Sequence, residues 1–463
     1  MKSKHIFFLS AICGMMMLTT SCSGDLDAIH PRNAILQSEL TDADLNKLVN
    51  GMYATMESYT YSFWWIDDLQ GENFKGAPSG GQIVDPLDMA PSFTNQTVNI
   101  LSFWRSSFST INQINFLVES YENAADKETP SMKAMGSAAY FFRALVYYRL
   151  TSHYGNVPIM RKRSRDIVPI SKESEVWAFV EEDLKKALAI APSFSSKWYI
   201  SADAVNALAA RVALFQGKKS EAVSYADAVI KNSTFQLTST SMDFSKNFIQ
   251  ASPSPEIIFA FVNNSRPARP LVFANYTNDL DGSWSYSPSD WCFANLYAND
   301  NVYARKNDVR KSATFSSDPT RIIKFSNGVN QLAPNPDYTQ IPIILFRLPE
   351  MYLIKAEALG KDAGASVLID FLKHRYKTVP VEGALKNMSD ADYQLLILDE
   401  RRREFFAEGM RWQDIKRTYR LDLLETLKGR SYLMYYPIPQ AEIDIAGTEA
   451  YPQNPGYAGA ANN

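Results

Sequence analysis

From Met135 onward the apolar residues Ala138, Ala139, Phe142, Leu145 and Val146 fall three or four positions apart, and three more runs with that spacing follow before residue 231. The spacing puts each set on one face of an α-helix, so this stretch is predicted to fold as successive amphipathic helices packed on one another. The first run stops at Tyr154-Gly155, with Asn156-Val157-Pro158 behind it. The second, Val176, Trp177, Val180, Leu184, Ala187 and Leu188, has Ser171 and Ser174 as candidate N-caps and Pro192 as its stop. The third, Val205 to Phe215, and the fourth, Ala222 to Ile230, are separated by Gly217.

Small residues, Ala210 and Ala222, flank the Gly217 turn, where two antiparallel helices must come close. The hairpin resembles a tetratricopeptide unit, and Met351 to Leu359 with Ala365 to Tyr376 repeats its grammar around Gly360 and Gly364. The same pattern also describes a plain helical hairpin. Trp104 and Trp177 sit in helical patterns and read as core.

Between Asn232 and Pro349 the periodicity gives way to Ser, Asn, Asp and Pro, with short β-like runs at Glu256 to Val262 and Arg321 to Phe325. Gly71 to Pro91, rich in glycine and proline, is a second irregular stretch. Such excursions from a rigid helical frame are usual carriers of binding function. The expected fold class is therefore mainly α, a scaffold of tetratricopeptide-like helical hairpins with a loop-rich, irregular ligand-binding half and a few short strands.

The N-terminus sets the compartment. Lys2 and Lys4, then the apolar stretch Ile6 to Leu18, then Thr19-Thr20-Ser21-Cys22 form a bacterial lipoprotein leader, so the mature chain is expected to begin at a lipid-bearing Cys22. Of 3 cysteines, Cys13 leaves with the leader and Cys22 takes the lipid, which leaves Cys292 without a disulfide partner. The fold must then rest on its core. The whole chain carries 47 basic and 50 acidic residues, and loss of Lys2 and Lys4 leaves a mildly acidic body that disfavours nucleic acid as a partner.

Catalytic patterns mostly fail. Beyond the leader the histidines are His30, His153 and His374, with no metal-binding spacing, and Cys292 has no ligand pattern around it, so neither a metal nor a cofactor is expected. Gly217-Lys218-Lys219-Ser220 is not a phosphate-binding loop, and Asn278 to Gly282 reads as a turn rather than a calcium loop. Asp67 with Asp68 is the best carboxylate pair for glycoside hydrolysis. The acidic residues Asp399, Glu400, Glu404 and Glu408, interleaved with Arg401, Arg402, Arg403 and Arg411, read as ion pairs along a helix.

Aromatic rings offer apolar faces and polar side chains offer hydrogen bonds, so aromatic and polar residues mixed in loops are the ligand candidates. The sequence holds two such clusters. One is Tyr61, Trp64, Trp65, Asp67, Asp68, Asn73 and Phe74; the other is Asp281, Trp284, Tyr286, Asp290 and Trp291. Each reads either as an aromatic platform or as a hydrophobic plug beneath its loop.

Several segments together resemble one family. Arg143-Ala144-Leu145-Val146-Tyr147-Tyr148-Arg149-Leu150 with Tyr154-Gly155-Asn156-Val157-Pro158 is similar to a signature of the SusD/RagB lipoproteins. The helix Arg347 to Ala358, the box Glu400 to Arg417, Tyr436-Pro437-Ile438-Pro439 with Glu442, and Pro452-Gln453-Asn454-Pro455-Gly456-Tyr457 follow in the family's order. The resemblance implies a signal peptide over 1–21 and one body over 22–463, with helical scaffold near 35–60, 100–232 and 347–420 and variable regions near 61–99 and 233–346. It further implies a non-catalytic protein, lipid-anchored on the outer membrane and exposed at the cell surface. Such a protein captures oligosaccharides for a SusC-like TonB-dependent transporter; a surface glycosidase, or a peptide-binding or assembly subunit, are the alternatives. The motifs themselves would be scaffold, with ligand contacts in the variable loops.

Overall fold

A computed structural model describes residues 42–63, 65–76, 94, 96–250, 252–262, 286–325 and 341–457. The leader with Cys22, and Trp64, Asp281 and Trp284 of the two aromatic clusters, lie outside the described residues. The longer helices are α1 (Asp42–Phe63), α2 (Val98–Glu122), α3 (Pro130–Tyr154), α4 (Glu173–Ile190), α5 (Ala202–Phe215), α6 (Lys219–Ile230), α7 (Leu348–Leu372), α8 (Asp390–Glu404) and α9 (Arg411–Thr418). No described helix is long and apolar enough to cross a membrane.

Helix α3 is the axis of the body. Thr129 caps it by accepting a hydrogen bond from the Met132 N–H, Pro130 opens its first turn, and Gly155, at φ +74°, ends it. The apolar spacing predicts one buried face, yet nearly every side of α3 beyond Met135 is buried, because α2 and α4 pack along it. Even its arginine is interior. Arg143 donates twice to Asp183 on α4, at 2.7 and 2.8 Å, and once to Asn115 on α2, at 2.8 Å, tying three helices through one side chain.

Helix α4 starts at Glu173, so neither Ser171 nor Ser174 is its cap; the Glu175 carboxylate instead accepts from the Lys172 N–H. The α5–α6 hairpin turns at Gly217, with Ala210 and Ala222 fully buried at its seam. Helix α7 is two segments meeting at Gly360, whose φ of +69° interrupts the helix. Gly364 is needed for space: a Cβ there would sit 2.1 Å from the Ala356 carbonyl oxygen. Of the β-like runs, Ile257–Phe261 does form a strand, antiparallel to Ile343–Arg347. Arg321 to Phe325 does not; Ile322 makes a single bridge to Phe315.

Of the acidic and basic residues of α8, one pair forms along the helix as their spacing suggests. Arg403 pairs with Asp399 on its own helix, but Glu400 and Glu404 reach across the fold. Glu404 accepts from Arg310 at 2.8 Å, Arg347 at 2.7 Å and Arg375 at 2.8 Å; Glu400 accepts from Arg305 and the Tyr376 hydroxyl, each at 2.7 Å. Glu256 closes the far side of the cluster against Arg347 and Arg375. Burial alone would raise the Glu404 carboxyl, but Arg375, Arg347 and Arg310 together hold it well below the ordinary carboxylate range. This ion network clamps the irregular segments around 256, 305–310 and 375 onto α8.

Candidate functional site

Strand Phe74–Gly76 pairs antiparallel with Tyr286–Pro288, which joins the two loop regions singled out in the sequence. The ribbon's inner face is core. The Tyr286 ring stacks between Trp65, at 5.8 Å, and Phe74, at 5.6 Å, and all three side chains are buried. Asp68 and Asn73 are buried as well, so Trp65, Asp68, Asn73, Phe74 and Tyr286 are corrected from ligand contacts to interior residues. The physical reason is the ribbon itself: pairing the two loops gives their rings each other to cover, and the plug reading holds there.

Asp67 is also interior. It accepts from His153 Nε2 at 2.8 Å and lies against Gln413, so the Asp67–Asp68 pair cannot reach a glycosidic bond from solvent. Burial would raise Asp67, but His153 and then Arg149 hold it below the usual range; burial pushes Asp68 up to about 7 despite hydrogen bonds from Asn73 and the Gly409 N–H.

Past the ribbon, Ser289 caps the short helix Asp290–Asn295 by accepting from the Cys292 N–H, and this helix presents Trp291 outward. Trp291 is 48% exposed, whereas Trp65, Trp104, Trp177 and Trp412 are buried. The Arg402 guanidinium lies over the indole, 4.5 Å from the ring centroid. Arg402 is itself held by neutral acceptors: Asn73 Oδ1 at 2.8 Å, the Glu72 carbonyl at 3.2 Å and Cys292 Sγ at 3.3 Å. Asn73 in turn donates to Asp68 at 2.5 Å. A chain of hydrogen bonds therefore runs from a buried carboxylate through an amide to a guanidinium resting on an exposed ring. Lys75 and Asp290 pair at 2.5 Å beside it.

The arrangement offers an apolar ring face next to fixed hydrogen-bond donors, which is what a sugar face with its hydroxyls requires. Sequence reading missed Arg402, because in an arginine-rich helix its spacing looked like an ion pair. It also missed Arg411, a buried guanidinium drawn down to about 10 by burial and then by the like charge of Arg402. The available signal was that α8 carries three consecutive arginines, and three consecutive positions on a helix cannot face the same way. Among the described residues no group of three or more His, Cys, Asp or Glu side chains is placed to hold a metal ion.

A profile of the SusD family matches residues 280–425, and a profile described as starch-binding and associating with the outer membrane matches residues 31–214. SusD-like protein P2 of Formosa agariphila is 26% identical over 485 aligned residues, covering 90% of this chain and 93% of the relative. A SusD superfamily protein from Bacteroides thetaiotaomicron superimposes with a TM-score of 0.73 at 24% identity, over 90% of this chain and 100% of that one. A SusD-like carbohydrate-binding protein from Bacteroides vulgatus does so with a TM-score of 0.67 at 21% identity, over 82% and 83%.

Proposed function

This chain belongs to the SusD/RagB family, and from that premise we propose that it captures oligosaccharides on the Trp291 face without cleaving them and passes them to a TonB-dependent transporter of the outer membrane. The observation that carries the reading is the exposed indole of Trp291 under a guanidinium fixed from the protein interior. The exposed indole offers a flat apolar face, and a pyranose C–H face is a chemically matched cover for it. The starch-binding description of the matching profile and the carbohydrate-binding relative support the same ligand class. Burial of Asp67 and Asp68 removes the carboxylate pair that favoured hydrolysis. The lipoprotein leader, which ends at Ser21 directly before Cys22, supports an anchor: palmitate labelling that enters wild type and not Cys22→Ser would establish it, and equal labelling would end it.

The test is to incubate the mature protein with maltohexaose, laminarihexaose, cellohexaose and xylohexaose, measuring binding by calorimetry and chain length by chromatography. Saturable binding with the hexaose recovered intact is the expected result. Shortened products would make the protein a hydrolase, and no binding to any of the four would overturn the reading.

A further inference from the structure

Helix α9 joins two different surfaces. Its first residue, Arg411, lies near Arg402, while its last turn opens onto a cleft of about 680 Å³ lined by the end of α3, the start of α4 and the turn Ser431–Met434. We propose that this cleft is a second sugar-binding subsite, taking a pyranose unit of a neutral oligosaccharide. The inference rests on the reading of the protein as glycan-binding.

The size fits, since small-molecule sites run from about 300 to 1,000 Å³. Three tyrosines shape the cleft. Tyr419 is 65% exposed and Tyr432 38% exposed, which leaves two large rings facing solvent at one opening. Tyr435 forms the wall between them and the protein, its hydroxyl donating to Glu173 at 2.8 Å.

Two of these rings, Tyr435 and Tyr432, pack against glycines of the sequence motifs. A Cβ at Gly155 would lie 2.7 Å from the Tyr435 ring, and a Cβ at Gly456 would lie 2.5 Å from Tyr432, so each side chain packs closely on bare backbone. Tyr432 also meets Tyr457 edge-on at 5.3 Å, and the Tyr457 hydroxyl donates to the Tyr435 carbonyl at 2.9 Å. A platform fixed before binding loses little entropy when a ligand arrives. The Tyr-Gly and Pro-Gly-Tyr motifs, read from sequence as scaffold, thus hold an aromatic surface open.

The polar groups point to a neutral ligand because the charged ones are committed. Arg417 is bound to Asp414 and Glu357, Glu173 accepts from both Tyr435 and Trp177, and Lys416 donates to the Ser152 and Met434 carbonyls. What remains for a ligand is the hydroxyl of Tyr419, of Tyr432 and of Ser431, with the Asn156 amide N–H groups, none of which has a hydrogen-bond partner among the described residues. Hydroxyls and an amide beside apolar rings match sugar hydroxyls and C–H faces.

The experiment titrates the four hexaoses named above into wild type, Trp291→Ala, Tyr419→Gly and Tyr432→Ala by calorimetry, with thermal melts alongside. Tyr419 holds a left-handed conformation, φ +55°, that glycine adopts more readily, so Tyr419→Gly removes the ring without a folding cost. For whichever hexaose binds wild type, each tyrosine variant should weaken binding 5-fold or more, and Trp291→Ala should keep a residual affinity that a further Tyr432→Ala abolishes. If Tyr432→Ala melts low, Tyr419→Gly decides. Wild-type affinity in a normally melting Tyr419→Gly overturns the second subsite and leaves the Trp291 reading standing; no binding by wild type overturns both.

Discussion

On α8, Arg402 and Glu404 are two residues apart, and one serves a surface while the other holds the interior. Glu404 is fully buried and surrounded by three guanidiniums; Arg402 makes no ion pair within the described structure and lies across an exposed indole. Both are charged groups of one sequence box. The difference is that the ion network satisfies every charge internally, at the expense of desolvating it, whereas the Trp291 face leaves donors and a ring that solvent or a ligand must complete. A buried network of this kind fixes geometry. A half-satisfied surface beside it can bind.

The largest expected effect breaks the interior side. Glu404→Ala would leave Arg310, Arg347 and Arg375 facing one another, and loss of one partner from a buried ion cluster costs roughly 3–5 kcal/mol. Chemical denaturation should show at least that loss, or no folded protein; a variant within about 0.5 kcal/mol of wild type would mean the network is not what clamps the irregular segments to α8.

Lys416 sharpens the comparison through pH. It is buried without a carboxylate in contact, and burial draws its amine from 10.5 down to about 7. Between about pH 7 and pH 10 the unfolded chain holds a proton on this lysine that the native state does not, so its contribution to stability rises with pH and its cost is greatest below pH 7. Lys416→Met removes that dependence. Its stability relative to wild type should fall by about 1.4 kcal/mol per pH unit across that window. A constant difference from pH 6 to 10 would show that the amine stays protonated in the fold.

Asn73 lies between the two regions. Asn73→Ala would free Arg402 from its anchor and leave Asp68 with one donor fewer, costing about 1–2 kcal/mol of stability, while glycan affinity should fall several-fold. Unchanged affinity in the folded variant would show that the orientation of Arg402 does not matter to binding.

The scaffold was legible because helices announce themselves locally: apolar residues at three- and four-residue intervals, stops at Gly155, Gly217 and Pro192, and small residues where α5 meets α6. The site was only half legible. Trp65, Phe74, Tyr286 and Trp291 have the same composition signal, and what separates the first three from the last is a strand pairing between positions more than 200 residues apart, which no local pattern encodes. The arginines of α8 failed for a related reason. Spacing shows which partners a helix could offer itself, but not that Arg305, Arg310, Arg347 and Arg375 arrive from elsewhere in the fold and offer a better geometry.

The smallest effect on stability belongs to the most direct test. Trp291→Ala removes a ring that the fold leaves exposed, so the melting curve should match wild type, while calorimetry with the hexaose that wild type binds should show affinity lowered by about 1–3 kcal/mol, roughly 5- to 150-fold. Unchanged affinity with an unchanged melt would place sugar recognition elsewhere, and a melt far below wild type would make Trp291 part of the core, contradicting the division between a closed interior and an open face.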